Sequence, residues 1–145
     1  MLVEPYELLK EIKTIAVVGA SRSPDKDAGR VPRYLKEQGY KIIPINPKAS
    51  EIAGERAYPS LLDIPEELAR QLDAIDVFRP GEEAVRIVEE ASKLKEKYGK
   101  PRVIWFQYGT STPEAVEKAK ERGFIVVYER CMMEEHSRHI RGSRG

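Results

Sequence analysis

The chain has 145 residues, 41% of them apolar and 34% charged, which fits one soluble globular domain with its own core and excludes wholesale disorder. The formal net charge is +1, so no general electrostatic case exists for nucleic acid or a membrane surface, and no apolar run reaches membrane-spanning length. The single cysteine cannot close an internal disulfide and suits a reducing compartment, the cytoplasm.

The first stretch, "MLVEPYELLKEIK", carries Glu4, Glu7 and Glu11 where a secretion signal needs an apolar core. It is expected to be an N-terminal extension, residues 1–12, of a single domain spanning 1–145. "TIAVVG" is a continuous apolar run ended by Gly19, and predicts a strand. "GRVPRYLKEQG" predicts a helix with Val31, Tyr34 and Leu35 on one face and Pro32 confined to its first turn. "YKIIPIN" predicts a second strand, whose Pro44 implies an edge position or an irregularity. Between residues 47 and 72 the pattern is weaker, with a short strand or turn near "RAYPS" and a short helix near Pro65 to Leu72.

The second half is more regular. "AIDVF", "RVIWF" and "FIVVY" are strands. Between the first two, Ala84, Val88, Ala91 and Leu94 share one helical face, with Glu82 and Glu83 near the start and Lys95 and Lys97 near the end, as the helix dipole favours. Thr112 caps the next helix, Pro113 takes its first position and Gly123 ends it. Residues 138–145 read as a flexible tail. Apolar strands alternating with amphipathic helices predict a Rossmann-like, doubly wound α/β domain, a mainly parallel sheet of about five strands with helices on both faces.

Such sheets bind ligands beyond the carboxyl ends of their strands. After the first strand, Gly19 permits a close turn and Ser21 offers a hydroxyl. Arg22, Lys26 and Arg30 supply cations for a phosphate at the following helix start. An ordinary strand-to-helix connection with solvated charges is the alternative. Neither the dinucleotide glycine fingerprint nor a Gly-Lys-Ser/Thr loop is present. After the second strand stand Asn46, Pro47 and Lys48, where NAD-binding folds place an acid. A lysine there suits a ribose-linked phosphate, which both NADP and coenzyme A carry.

The segments "VVGASR", "IPINPK", "GERAYPSLLDIPE", "DVFRP", "VIWFQYG" and "VVYERCMMEEH", in this order and spacing, resemble the small stand-alone CoA-binding proteins. Those in turn resemble the CoA-binding domain of the succinyl-CoA synthetase alpha subunit. The likeness runs from about Lys13 to His139. It implies that Gly19, Ala20, Ser21 and Arg22 form a phosphate-facing loop, and that Asn46, Pro47 and Lys48 lie by the adenosine phosphates. Phe78, Arg79 and Pro80 would flank the nucleotide, and Gln107 and Gly109 would lie near the pantetheine. Tyr108 and Thr110 depart from the small aliphatic residues more frequent in the family. The implied ligand is coenzyme A or an acyl-CoA, with a further protein or a second copy of the chain as partner. The phosphohistidine domain of the synthetase has no counterpart here. A binding or regulatory module without autonomous catalysis is therefore expected, with no catalytic residue assigned.

Cys131 follows the last strand, where the dipole of a helix starting at "MMEEHSRH" and Arg130 would act to lower its thiol pKa, and Glu129 and Glu134 would oppose them. Packing, a ligand-facing thiol and a nucleophile are its three readings. The last would make the chain an acyl-CoA transferase or thioesterase; an NADP-dependent reductase is a further alternative. Cys131, His136 and His139 lack the spacing of a zinc site. Trp105, Met132 and Met133 read as packing. Asp73 and Asp76 are placed at the strand entrance, away from Cys131.

Overall fold

The computed structural model describes residues 4–141. Five parallel strands form the sheet: β1 (Thr14–Val18), β2 (Lys41–Ile45), β5 (Ala74–Val77), β6 (Val103–Phe106) and β7 (Ile125–Val127), in the spatial order β2-β1-β5-β6-β7. Successive residues of a strand point to opposite faces. Ala16, Val18, Ile75, Val77, Ile104 and Phe106 therefore pack into one core with α4 (Ala84–Tyr98) and α5 (Pro113–Glu121). Ile15, Val17, Ala74, Val103 and Trp105 pack into a second core with α1 (Pro5–Glu11), α2 (Asp27–Glu37) and α6 (Met132–His136). Both faces are covered, so the strands read as apolar runs without alternation.

β2 lies at the sheet edge, which is why Pro44 is tolerated. Residues 51–56, which the sequence reading left without a hairpin, form one from β3 (Glu51–Ile52) and β4 (Glu55–Arg56). Ala53 and Gly54 both take positive φ at its turn, 55° and 78°, as a two-residue hairpin turn demands. The short strand or turn expected near "RAYPS" is met by β4, which ends at Arg56, followed by a single bridge from Tyr58 to Ile45. α3 (Glu66–Ala69) occupies the region where a short helix was expected.

α2 starts earlier than the periodicity suggested, at Asp27, so Pro32 lies inside the helix and not in its first turn. Proline has no N–H for the carbonyl four residues back. That carbonyl, on Ala28, accepts instead from the amide of Ser21 at 2.9 Å. Thr112 caps α5 as expected, its side chain accepting from the Ala115 amide.

Within the expected N-terminal extension, Leu8, Leu9 and Ile12 are buried. The expected tail boundary at 138 falls inside a π-helical turn, Ser137–Arg141, where Ile140 is buried and His139 stacks on Tyr6. Residues 1–3 and 142–145 lie outside the described residues. Among the described residues, no helix is long and apolar enough to cross a membrane.

Candidate functional site

The chain leaves β1 toward β2 on one side and later leaves β5 toward β6 on the other. The crevice beyond the carboxyl ends of β1 and β5 is therefore the topological switch point. Gly19 opens it with φ +90°, and its amide donates to Ile45 O at 3.0 Å. A Cβ on Gly19 would lie 2.7 Å from Arg79 Cδ, so the loops after β1 and β5 approach each other there. Asn46 ties the loops after β1 and β2 together: its Nδ2 donates to Ala20 O at 2.9 Å and its Oδ1 accepts from the Lys48 amide at 2.7 Å. A cleft of about 390 Å³ brings Gly19, Asn46, Pro47, Lys48 and Arg79 together, alongside Ser60, Glu83 and Arg86.

The two arginines of this cleft are already engaged. Arg79 Nε and Nη2 both donate to Glu83 Oε2, at 2.9 and 2.7 Å. Arg86 bridges Glu83 Oε1 at 2.6 Å and Glu90 Oε2 at 2.9 Å. The hydrogen bond from Arg79, reinforced by Arg86, holds the Glu83 carboxyl below its ordinary range. These are exposed pairs of modest strength, so an incoming phosphate has only to exchange one anionic partner for another. The sequence reading assigned Glu83 to the helix dipole alone and missed Arg86 and Glu90. The four-residue spacings of Arg79 to Glu83 and Arg86 to Glu90 were the available signal.

The loop after β1 is held by a residue that the motif did not include. Arg33 donates through Nη1 to Gly29 O at 2.7 Å and to Ser21 O at 3.3 Å, and through Nη2 to Arg22 O at 3.0 Å. A planar guanidinium serves such divergent acceptors, whereas an ammonium is a point donor. Gly29 completes the lock, because a Cβ there would fall 1.9 Å from Ser23 O. The expected roles around this loop change accordingly. Ser21 Oγ accepts from the Ser23 amide at 3.0 Å, Ala20 is fully buried, and Arg30 is paired with Asp27. Ala20, Ser21, Arg22 and Lys26 line neither this cleft nor the next, and nor do Pro80 and Gly109. Gly109 sits at a turn with φ +72°, its amide donating to Glu129 Oε1.

A second pocket, about 220 Å³, opens on the same sheet edge between Phe78, Gln107, Tyr108, Cys131, Met133 and Glu134. Beneath it lies Asp76, which the sequence reading placed at the strand entrance. Only Asp73 is there, accepting from the Lys13 and Thr14 amides at 2.9 and 3.1 Å and from Lys100 at 3.0 Å. Asp76 pairs in register with Val17 and Trp105 and has no exposed surface. Gln107 Nε2 donates to its Oδ1 at 2.5 Å, while Oδ2 has no partner among the described residues. Burial pushes the Asp76 carboxyl up to about 7, with the Gln107 hydrogen bond opposing.

Cys131 occupies the N-cap position of α6 without a side-chain capping hydrogen bond, and burial pushes its thiol up, outweighing the nearby Glu134 and Met133 amides. The lowering influence of the helix is outweighed, because a five-residue helix has too small a dipole to offset desolvation of the thiolate, and Glu134 opposes it as the sequence suggested. The charges of Glu134 and Asp76 act in the same direction as burial, which also corrects the separation of Asp76 from Cys131. His136 Nδ1 is 2.9 Å from Tyr34 Oη. Among the described residues, no cluster of three or more His, Cys, Asp or Glu side chains is arranged to hold a metal ion.

Comparison with known proteins bears on this edge. The protein YneT of Bacillus subtilis is 34% identical over 134 residues, covering 92% of this chain and 93% of its own. A solved structure of a Pyrococcus horikoshii protein superposes with a TM-score of 0.82 at 44% identity, covering 91% of this chain and 87% of that one. An ADP-forming acetate–CoA ligase of Archaeoglobus fulgidus is 42% identical over 65 residues, 43% of this chain. The chain spans only 10% of that enzyme's length and 19% of the alpha subunit of a Pyrococcus furiosus acetate–CoA ligase. The ligases matched are acetate–CoA ligases, a coarser likeness than the one to the CoA-binding domain of the succinyl-CoA synthetase alpha subunit that the motifs imply. The CoA-binding domain profile covers residues 13–137, from the start of β1 to the turn after α6, and so includes both clefts: the chain belongs to the CoA-binding domain family.

Proposed function

We propose that the chain binds coenzyme A or an acyl-CoA along the carboxyl edge of its sheet, as a module without turnover of its own. The observation that carries this reading is the placement of two clefts on either side of one segment. Arg79 lines the larger cleft and its neighbour Phe78 lines the smaller. An extended ligand with phosphates at one end and a thiol at the other suits that arrangement. In this reading Lys48, Arg79 and Arg86 receive the adenosine phosphates by charge-assisted hydrogen bonds, and the pantetheine arm crosses Phe78 toward Gln107 and Cys131. The Arg33-locked loop holds the backbone after β1 in place without reorganisation on binding.

The reading stops at binding. A nucleophilic thiol needs a lowered pKa or an adjacent base, and burial pushes the Cys131 thiol up. Titration calorimetry with CoA, dephospho-CoA, NADP and NAD tests the proposal. CoA is expected to bind tightest. Lys48→Ala is expected to weaken CoA by about tenfold and dephospho-CoA by less, if the exposed ammonium reads the ribose phosphate. Tight NADP binding with none for CoA overturns the assignment.

A further inference from the structure

We propose that the pocket between Gln107 and Cys131 selects the terminal group of the bound thiol or thioester by charge, accepting a free thiol or a short uncharged acyl group and rejecting one that ends in a carboxylate. The inference rests on the CoA-binding reading and deepens it. At about 220 Å³, the pocket is smaller than the cavities that enclose whole drug-sized ligands. It takes the end of a ligand whose larger part lies elsewhere.

Its walls supply apolar contact from Phe78 and Met133 and two buried polar groups, the Gln107 amide and the Thr110 hydroxyl, which donates to the Gln107 backbone O at 2.8 Å. One Nε2 N–H of the Gln107 amide donates to Asp76 Oδ1. A second N–H and the carbonyl oxygen remain, so the amide has both a donor and an acceptor beyond that bond. A thiol or an uncharged thioester end can pair with it without bringing in a charge.

The charges point the same way. Arg30 is the cation lining the pocket, and it is engaged by Asp27. Glu134 stands at the rim with Tyr108 Oη 3.4 Å from its Oε2, and Asp76 lies behind Gln107. Two weak acids at the pocket register the resulting field. The Tyr108 phenol is pushed up, first by the Glu134 charge. The Cys131 thiol is pushed up by burial and then by Glu134 and Asp76. A further anion introduced on an acyl chain meets the same field, which Arg138 opposes at Tyr108 without reversing it.

Titration of the full chain with CoA, acetyl-CoA and succinyl-CoA at low ionic strength tests this, with Glu134→Gln alongside. Acetyl-CoA is expected to bind at least about tenfold tighter than succinyl-CoA, the scale of one like-charge contact near a protein surface. The ratio is expected to shrink to about threefold in Glu134→Gln and to shrink with added salt. Equal affinity for the two thioesters in the unmodified chain, or a gap that Glu134→Gln leaves intact, overturns the charge selection while leaving CoA binding standing. Failure of all three ligands to bind overturns both readings.

Discussion

Beside β2, Arg79 and Arg86 have 46% and 54% of their side chains exposed and share Glu83 between them. Beside β6, on the same edge of the same sheet, Asp76 is wholly buried with one oxygen unpartnered, and Cys131 is 9% exposed. The first cleft manages charge by pairing it in reach of water. Its ions are cheap to keep and easy to exchange. The second manages charge by desolvation, which disfavours the ionised form of each acid it holds. A ligand with an anionic end and a neutral end can lie across both, and its direction is then set by this contrast in solvation.

The largest effect expected comes from removing the buried acid. The folded state holds a proton on Asp76 up to about pH 7, while an unfolded aspartate releases it near the ordinary 3.8. Stability contributed by this group is therefore present at low pH and lost as pH rises through that window, levelling off above it. At about 1.4 kcal/mol per pH unit, the loss approaches roughly 4 kcal/mol. Asp76→Asn is expected to gain stability relative to the unmodified chain between pH 4 and 8, read from urea denaturation at several pH values. A difference that does not change with pH would remove desolvation as the distinguishing property of the second pocket.

Gly29→Ala puts a methyl group onto the Ser23 carbonyl. An overpacking cost of about 3 kcal/mol is expected, with a fall of roughly 10 °C in Tm for a chain of this size. Gly19→Ala sharpens the comparison. Its nearest neighbour is the Arg79 side chain, which can move, and the Phe78 backbone carbon at 3.1 Å has only to give slightly, so the positive φ and that contact together cost about 1–2 kcal/mol. Thermal melts of the two variants should rank them in that order.

Arg33→Lys removes a fork that serves three carbonyls. A loss of about 1–2 kcal/mol in stability is expected, with CoA affinity falling further than stability alone accounts for at temperatures well below the melt. Saturable binding of CoA with unchanged affinity would show that the loop needs no lock.

Glu83→Gln leaves Arg79 and Arg86 without their shared anion. Affinity for 3′,5′-ADP is expected to rise by about threefold, and its salt dependence to steepen, measured by titration at two ionic strengths. The smallest effect is at Cys131. Its thiolate attacking CoA disulfide forms one mixed disulfide and releases one CoA thiolate. With the thiol pushed up by burial, intact-protein mass spectrometry should show slow adduct formation at neutral pH, faster at pH 9 and absent in Cys131→Ser. An adduct that forms as fast at pH 7 as at pH 9 would contradict the direction assigned to this thiol.

The alternating strands and helices, the cap at Thr112, the edge position of β2 and the turn at Gly19 were all legible along the chain. Each follows from local rules: side-chain periodicity, capping geometry, the missing N–H of proline and the freedom of glycine. The placement of Lys48 and Arg79 in one cleft also followed, because a doubly wound sheet gathers the loops after its strands. What tertiary structure alone decided is who partners whom. Asp76 meets Gln107 across 31 positions and Asn46 meets Ala20 across 26, and no window of sequence contains either pair. Arg33 reads as an ordinary helix-surface cation until the loop folds back over it. Burial of Asp76 reversed the expectation drawn from its neighbours in sequence, and burial of Cys131 settled the opposing influences of its own. A pKa is set by the solvent and charges around a group in space, and those are fixed only when the helices close over the sheet.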